Sequence, residues 1–287
     1  MTGHPSGERL DVEVGAGLRL HIARAGNGPP LVLLHGFTGS NETWTPHRAA
    51  LSARWTTFAI DLPGHGRSSA PDDAARFALD RFADDMADVL DALHVERAAM
   101  LGYSLGARAA LRFALRHPGR VAALVLESAS PGVIDPVERA ARVRSDAALA
   151  DAIERDGVAR FVEQWERLPL WASQASLPDA TRARLREQRL ANHPRGLANS
   201  LRGAGAGADP PLLVRLGTHQ SPVLLIAGAL DTKYVLLGRL MEEAMPDARL
   251  AVVPDAGHAV HLEQPAAFEA LVTGFLDGLP SAGAVWR

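Results

Sequence analysis

The chain has 287 residues, 47% hydrophobic and 22% charged, with a formal net charge of −3. This length and composition bury a sizeable core and exclude a disordered chain. The lack of cysteine excludes a disulfide scaffold and a thiol nucleophile. No basic run with interleaved aromatics speaks for nucleic acid, and no Cys/His cluster has metal-ligand spacing. Residues 1–10 are polar, and no stretch approaches the roughly 18 apolar residues of a spanning helix. The expectation is a cytoplasmic protein that uses no metal.

Residues 10–14 and 18–23 alternate about Gly15-Ala-Gly17 and predict an N-terminal hairpin. A short apolar strand at 31–34 ends in His35-Gly36-Phe37, and 44–51 reads as a helix. The next strand, 58–60, ends in Asp61-Leu-Pro-Gly-His-Gly-Arg-Ser68. A helix follows over 77–93, in which Phe82, Met86, Val89, Leu90 and Leu93 recur at helical spacing. Residues 98–101 predict a strand, 105–117 a helix and 121–127 a strand.

The alternation then stops. From about 133 to 207 the chain is helical and charged and lacks strand-like runs, so it reads as a helical cap inserted between strands. Gly203-Ala-Gly-Ala-Gly207 reads as a flexible return, a hinge. Strands at 223–227 and 250–253 are followed by helices at 234–244 and 265–279. Short buried strands between helices mean a mostly parallel sheet covered on both faces, an α/β fold in a single domain over 1–287.

The strand-to-helix junction Gly102-Tyr-Ser-Leu-Gly106 reads G-x-S-x-G, the nucleophile elbow of α/β-hydrolase-like folds. The serine needs an unusual backbone conformation, and its neighbours two residues away must lack bulk for the turn to close. At the start of a helix, the N–H of Leu105 points at whatever Ser104 attacks or deprotonates. An ordinary strand–helix turn could carry the same five residues, but the context weighs against that. Asp231 and His258 each follow an apolar run, and the order Ser104, Asp231, His258 is that of this fold. The expectation is therefore an α/β-hydrolase fold with these three as catalytic residues. Glu127, at the end of an earlier strand, is the runner-up acid. His261 lies one turn beyond His258 and is the weaker base. His35 and His65 read as organisers of their loops.

A narrower resemblance rests on His35-Gly-Phe-Thr-Gly-Ser40, Asp61-Leu-Pro-Gly-His-Gly66, Gly102-Tyr-Ser-Leu-Gly-Ala-Arg108 and Glu127-Ser-Ala-Ser-Pro-Gly132. Glu138-Arg-Ala-Ala-Arg-Val-Arg-Ser-Asp146, Leu230-Asp-Thr-Lys-Tyr234 and Gly257-His-Ala-Val-His-Leu-Glu-Gln-Pro265 complete it. Over about residues 31–265 the chain resembles the 2-succinyl-6-hydroxy-2,4-cyclohexadiene-1-carboxylate synthases of menaquinone biosynthesis. It departs from them at Ala107, where a second glycine is usual, and at Ala229, where an acid is common. The resemblance implies a lyase without cofactor that eliminates pyruvate from a cyclohexene bearing a succinyl chain and an enolpyruvyl ether. Ser104, with His258 and Asp231, would remove a ring proton beside the succinyl ketone. The N–H groups of Phe37 and Leu105 would hold the charge that develops on the ketone oxygen.

That substrate has three carboxylates, which arginines grip well. Arg108 lies four residues after Ser104 on one helix face. The resemblance adds Arg139, with Arg142 as its rival, and Arg189, Tyr103 and Trp165 as pocket residues. Arginine is weak evidence in itself, because 29 of the 30 basic residues are arginine. Any one of them can be a solvated surface charge, and Trp165 can be ordinary packing. Lys233 is the sole lysine, and the sequence assigns it no role. The expected partner is a small polycarboxylate, with no nucleic acid or membrane, for a monomer or small homo-oligomer. Two other readings stay open: a carboxylester or C–C bond hydrolase of the same fold, and a non-catalytic ligand-binding protein.

Overall fold

The computed structural model describes residues 7–279. Residues 1–6 and 280–287 of the domain expected over 1–287 lie outside the described residues. The strands are β1 (Glu8–Val14), β2 (Leu18–Ala25), β3 (Pro30–Leu34), β4 (Thr56–Ile60), β5 (Ala98–Tyr103), β6 (Val121–Glu127), β7 (Val223–Gly228) and β8 (Ala248–Val253). They form one sheet in the order β1-β2-β4-β3-β5-β6-β7-β8. The first two make a hairpin, β2 joins β4 antiparallel, and all other pairings are parallel.

Alternation along the strands divides the core. Val32 and Leu34 enter one cluster and Leu31 and Leu33 the other, because successive side chains of a strand point to opposite faces. The helices are α1 (Arg48–Ser52), α2 (Leu79–Ala92), α3 (Leu105–Arg116), α4 (Pro136–Trp165), α5 (Asp179–Leu190), α6 (Pro194–Ala204), α7 (Thr232–Ala244), α8 (Val260–Glu263) and α9 (Pro265–Asp277). Phe82 and Met86 of α2, Phe113 of α3 and Met241 of α7 cover the first face. Leu51 of α1, Val260 of α8 and Phe268 of α9 cover the second. The fold is that of the α/β hydrolases. The functional loops leave the carboxyl ends of β3, β4, β5, β7 and β8, where open α/β sheets bind their ligands.

Two elements differ from the sequence reading. Over 44–51 the chain forms a 3-10 stretch, Asn41–His47, before α1 begins. Pro46 lies inside that stretch and has no N–H for a regular helix. β8 is an edge strand that is only partly buried: Arg249 and Val252 are exposed, Ala248, Leu250 and Ala251 are half-buried, and Val253 is buried.

Between β6 and β7 lie α4, α5 and α6, without a strand. Of these, α4 and α6 share a small core of Ile153, Phe161, Val162, Leu197 and Leu201. The glycines of 203–207 sit at close contacts: a Cβ on Gly203 would lie 2.2 Å from the Ala74 carbonyl oxygen, and one on Gly207 2.7 Å from the Val143 nitrogen. Their role is close packing of the return segment, where the sequence suggested a hinge. Within α4, Gly157 adopts φ 83° and ψ 164° and splits the helix in two.

Gly157 isolates the energetic cost of that backbone conformation, because nothing lies within 4 Å of a Cβ placed there; Gly119 is equally open but has ordinary φ. Gly157→Ala is expected to lower stability by about 1–3 kcal/mol. Gly119→Ala should stay within about 0.5 kcal/mol of wild type. Urea denaturation of the two variants checks this, and equal losses would refute it.

Candidate active site

The serine stands on a strained corner. Ser104 has φ 52° and ψ −106°, a conformation unfavourable for a residue with a Cβ. Crowding around it explains the flanking glycines: a Cβ on Gly102 would lie 2.3 Å from the Gly106 carbonyl oxygen, and one on Gly106 2.1 Å from that of Leu34. The Ser104 N–H donates to the Glu127 carbonyl at 2.9 Å, which ties the corner to β6.

His258 Nε2 is 3.1 Å from Ser104 Oγ, and its Nδ1 is 2.7 Å from Asp231 Oδ2. With a neutral ring, Nδ1–H donates to Asp231 while Nε2 accepts the serine proton. Both loops are tied down. Ser128 Oγ donates to the His258 carbonyl at 2.8 Å, and Glu263 accepts from the N–H groups of Gly257 and Ala259 at 2.6 and 3.2 Å. The acid loop joins the histidine loop through Leu230 N–H to the Ala256 carbonyl at 2.9 Å.

A third loop faces the serine from β3. His35 donates from Nδ1 to the Gly36 carbonyl at 2.7 Å and accepts the Leu62 N–H on Nε2 at 3.0 Å. Asp61 is buried and accepts from Asn41 N–H, Asn41 Nδ2 and Arg67 N–H. The N–H groups of Phe37 and Leu105 have no hydrogen-bond partner among the described residues. Burial holds His35 neutral, its pKa lowered to about 4, and His65 to about 3.

A cavity of about 210 Å³ opens over Ser104. Tyr103, Ser104, Leu105, Arg108, Trp165 and His258, all singled out in the sequence, line it. Arg108 is buried; it donates to the Ala204 carbonyl at 2.7 Å and faces Asp209 at 3.5 Å. Asp209 also pairs with Arg112, one turn on along α3. Desolvation weakens the charged state of Arg108, and Asp209 opposes that effect.

Two arginines lie elsewhere than the sequence suggested. Arg139 is exposed and outside the cavity wall, whereas Arg142 lines it with its Nε 2.8 Å from Asp146 Oδ1. The buried Asp146 holds Arg142, one turn before it, at the wall; the i,i+4 spacing allows the pair, and only the burial of Asp146 is not legible in the sequence. Arg189 is buried in α5, 3.1 Å from Glu166 and over the Trp171 ring at 5.4 Å. It lines a neighbouring cavity of about 430 Å³.

Sequence reasoning missed Trp171 and Tyr234, whose rings pack on His258 at 5.5 and 4.5 Å. Tyr234 stands three residues after Asp231, which was an available signal; Trp171, in the cap, gave none. It also missed Asp209, although Ser104, Arg108 and Arg112 repeat every four residues on α3. Glu127 is fully buried and pairs with His261, its Oε1 accepting from both the N–H and Nδ1 at 3.0 and 2.9 Å. Of the two carboxylate–imidazole pairs that the sequence offered as candidates, Glu127–His261 and Asp231–His258, the one at Asp231 reaches Ser104. Among the described residues no cluster of His, Asp or Glu suits a metal ion, and no helix is long and apolar enough to cross a membrane. The arrangement can move a proton between Ser104 and His258 and stabilise an oxyanion at the two free amides.

A family model for the alpha/beta hydrolase fold matches residues 29–265. A Bacillus subtilis (strain 168) protein with the provisional name of a 2-succinyl-6-hydroxy-2,4-cyclohexadiene-1-carboxylate synthase is 40% identical over 272 residues, 94% of this chain and 99% of that one. A Serratia proteamaculans (strain 568) protein named as the same synthase is 32% identical, covering 86% of this chain and 93% of its own. The solved structure of MenH from S. aureus is similar with a TM-score of 0.86 at 32% identity, over 90% of this chain and 97% of that one.

The buried His35 makes a pH prediction. Above pH 6.5 the residue is neutral folded or unfolded. Between 6.5 and about 4 only the unfolded chain takes up the proton, so stability falls as pH falls. From pH 7 to pH 5 this one group should cost about 2 kcal/mol. Urea denaturation at the two pH values should show His35→Asn losing that much less than wild type, and equal losses would exclude the assignment.

Proposed function

Because the chain belongs to the 2-succinyl-6-hydroxy-2,4-cyclohexadiene-1-carboxylate synthase family, within the α/β-hydrolase fold, we propose that it eliminates pyruvate from 2-succinyl-5-enolpyruvyl-6-hydroxy-3-cyclohexene-1-carboxylate. The observation that carries this reading is Arg108, a buried guanidinium in the wall of the cavity that holds Ser104. A neutral ester has no use for such a group beside the nucleophile. A substrate with three carboxylates does.

In the proposed mechanism Ser104 Oγ, its own proton passing to His258 Nε2, takes the ring proton beside the succinyl ketone. The electron pair moves onto the ketone oxygen, where the N–H groups of Phe37 and Leu105 stabilise it. The pair then returns to the ring and the bond to the enolpyruvyl oxygen breaks. The departing enolate takes up the proton that His258 Nε2 holds, completing pyruvate; Ser104 keeps the ring proton as its hydroxyl, and the conjugated diene remains. Asp231 fixes the tautomer and orientation of His258 and stabilises its cation. No electron is gained or lost overall, so the scheme needs no redox cofactor. Arg108 and Arg142 bind carboxylates, with Tyr103 and Trp165 on the substrate's apolar surface. Arg189 contributes through Trp171, and Arg139 has no part at the cavity. The reading is of one catalytic domain over 1–287 with a cap at about 133–207, cytoplasmic, as a monomer or small homo-oligomer.

The same triad serves ester hydrolysis, so kinetics must separate lyase from hydrolase. Wild type should release pyruvate rapidly, followed with coupled lactate dehydrogenase, and cleave neutral esters only feebly. Arg108→Ala should lower kcat/KM for pyruvate release by about 30- to 5,000-fold, the loss that follows removal of a partner from a buried carboxylate, while feeble ester cleavage persists. Brisk ester cleavage without pyruvate would replace the lyase reading with the hydrolase one.

The acid can be tested separately. Asp231→Asn should depress turnover by orders of magnitude, because it supports the wrong tautomer of His258. Glu127→Gln, which disturbs the His261 pair, should lower the melting temperature while retaining far more turnover. The opposite ranking would exchange the two roles.

A further inference from the structure

We propose that Lys233 is the mouth cation of the cavity, receiving one of the substrate's carboxylates where the chamber opens to solvent; this rests on the synthase reading. Five observations converge on it. Lys233 is the only lysine among 30 basic residues, in a chain whose default basic residue is arginine. It is exposed and lines the cavity that contains Ser104.

Its charge is also uncompensated. Arg108 faces Asp209 and Arg142 faces Asp146, whereas Lys233 has no carboxylate partner among the described residues, only the Tyr234 ring 6.0 Å from its Nζ. Its place in the helix is unfavourable as well. Lys233 is the second residue of α7, whose first turn contains no acid. A cation there sits against the positive end of the helix dipole and weakens the helix. Local stability therefore does not account for it, and an incoming anion does.

Size points the same way. The chamber of about 210 Å³ is smaller than the roughly 300–1,000 Å³ of sites that enclose drug-sized ligands. A ring bearing succinyl and enolpyruvyl arms must reach the mouth. An ammonium on a flexible, strongly hydrated stem suits that place better than a planar guanidinium, because the carboxylate there keeps part of its water.

Wild-type, Lys233→Met and Lys233→Arg enzymes, all full length, are compared on the enolpyruvyl tricarboxylate. Lys233→Met should lose about 5- to 30-fold in kcat/KM through KM, with kcat within about twofold, and its kcat/KM should fall less steeply with added salt. Lys233→Arg should recover most of the loss. Reductive methylation with 13C-formaldehyde keeps the charge and gives a single lysine resonance, distinct from the α-amine. In Ser104→Ala protein that resonance should move when the substrate is added. Unchanged KM and salt dependence, or a stationary resonance, would overturn the assignment. A displaced pH–kcat profile with unchanged KM would also overturn it, making Lys233 a tuner of His258 instead. If wild type releases no pyruvate, the synthase reading itself fails; normal release with an indifferent Lys233→Met removes only this inference.

Discussion

The site depends on one crossing of backbones. At Gly102 and Gly106 the end of β5 and the start of α3 come so close that neither position accommodates a Cβ, and Gly106 also presses on the carbonyls that end β3. This contact launches α3 straight off the sheet edge and leaves Ser104 at its tip with φ 52°. Once the tip is fixed, every other loop has a single point to reach. Two do so from β7 and β8, joined to each other by the Leu230–Ala256 hydrogen bond, and one from β3, ordered by neutral His35. Neighbouring parallel strands deliver their carboxyl ends side by side, so short loops suffice.

Around that point the protein keeps charge in a dry wall by pairing it. Asp209 lies between Arg108 and Arg112, all three buried, since an isolated guanidinium there would be costly. Carbonyls and carboxylates use some of Arg108's donors, and the guanidinium still lines the cavity. The surroundings are aromatic: Trp171 and Tyr234 lie against His258, and Phe37 packs on Trp165 with ring centres 5.5 Å apart. Such walls exclude water, which strengthens each hydrogen bond and ion pair made inside them.

The legible parts of the sequence are those set by local rules. β3, β5, β6 and β7 appear as uninterrupted apolar runs because they are buried on both faces. Ser104, Asp231 and His258 stand out because each follows such a run, and G-x-S-x-G states its own steric demand. What stayed hidden depends on partners distant in the chain. Glu166 and Trp171 hold Arg189 beside another cavity, whereas the Arg142–Asp146 pair is local and only the burial of Asp146 was hidden. Asp209 follows Arg108 by 101 residues. Glycines 203–207 look alike whether a segment bends or packs, and only the nearness of Ala74 and Val143 decides.

Trp171 belongs to the walls of both the chamber over Ser104 and the larger cavity beside Arg189. The two spaces thus share the Trp171 indole as a wall residue, borne by a short 3-10 segment of the cap, Pro169–Ser176. The sheet edge holds the catalytic residues, and the cap, through Trp171, supplies part of the wall that limits substrate volume. A descendant with a small residue at 171 would inherit the serine, the acid and the base in place while admitting a bulkier molecule. Diversification of this scaffold could begin at that wall residue, with the triad still supplied by the sheet edge.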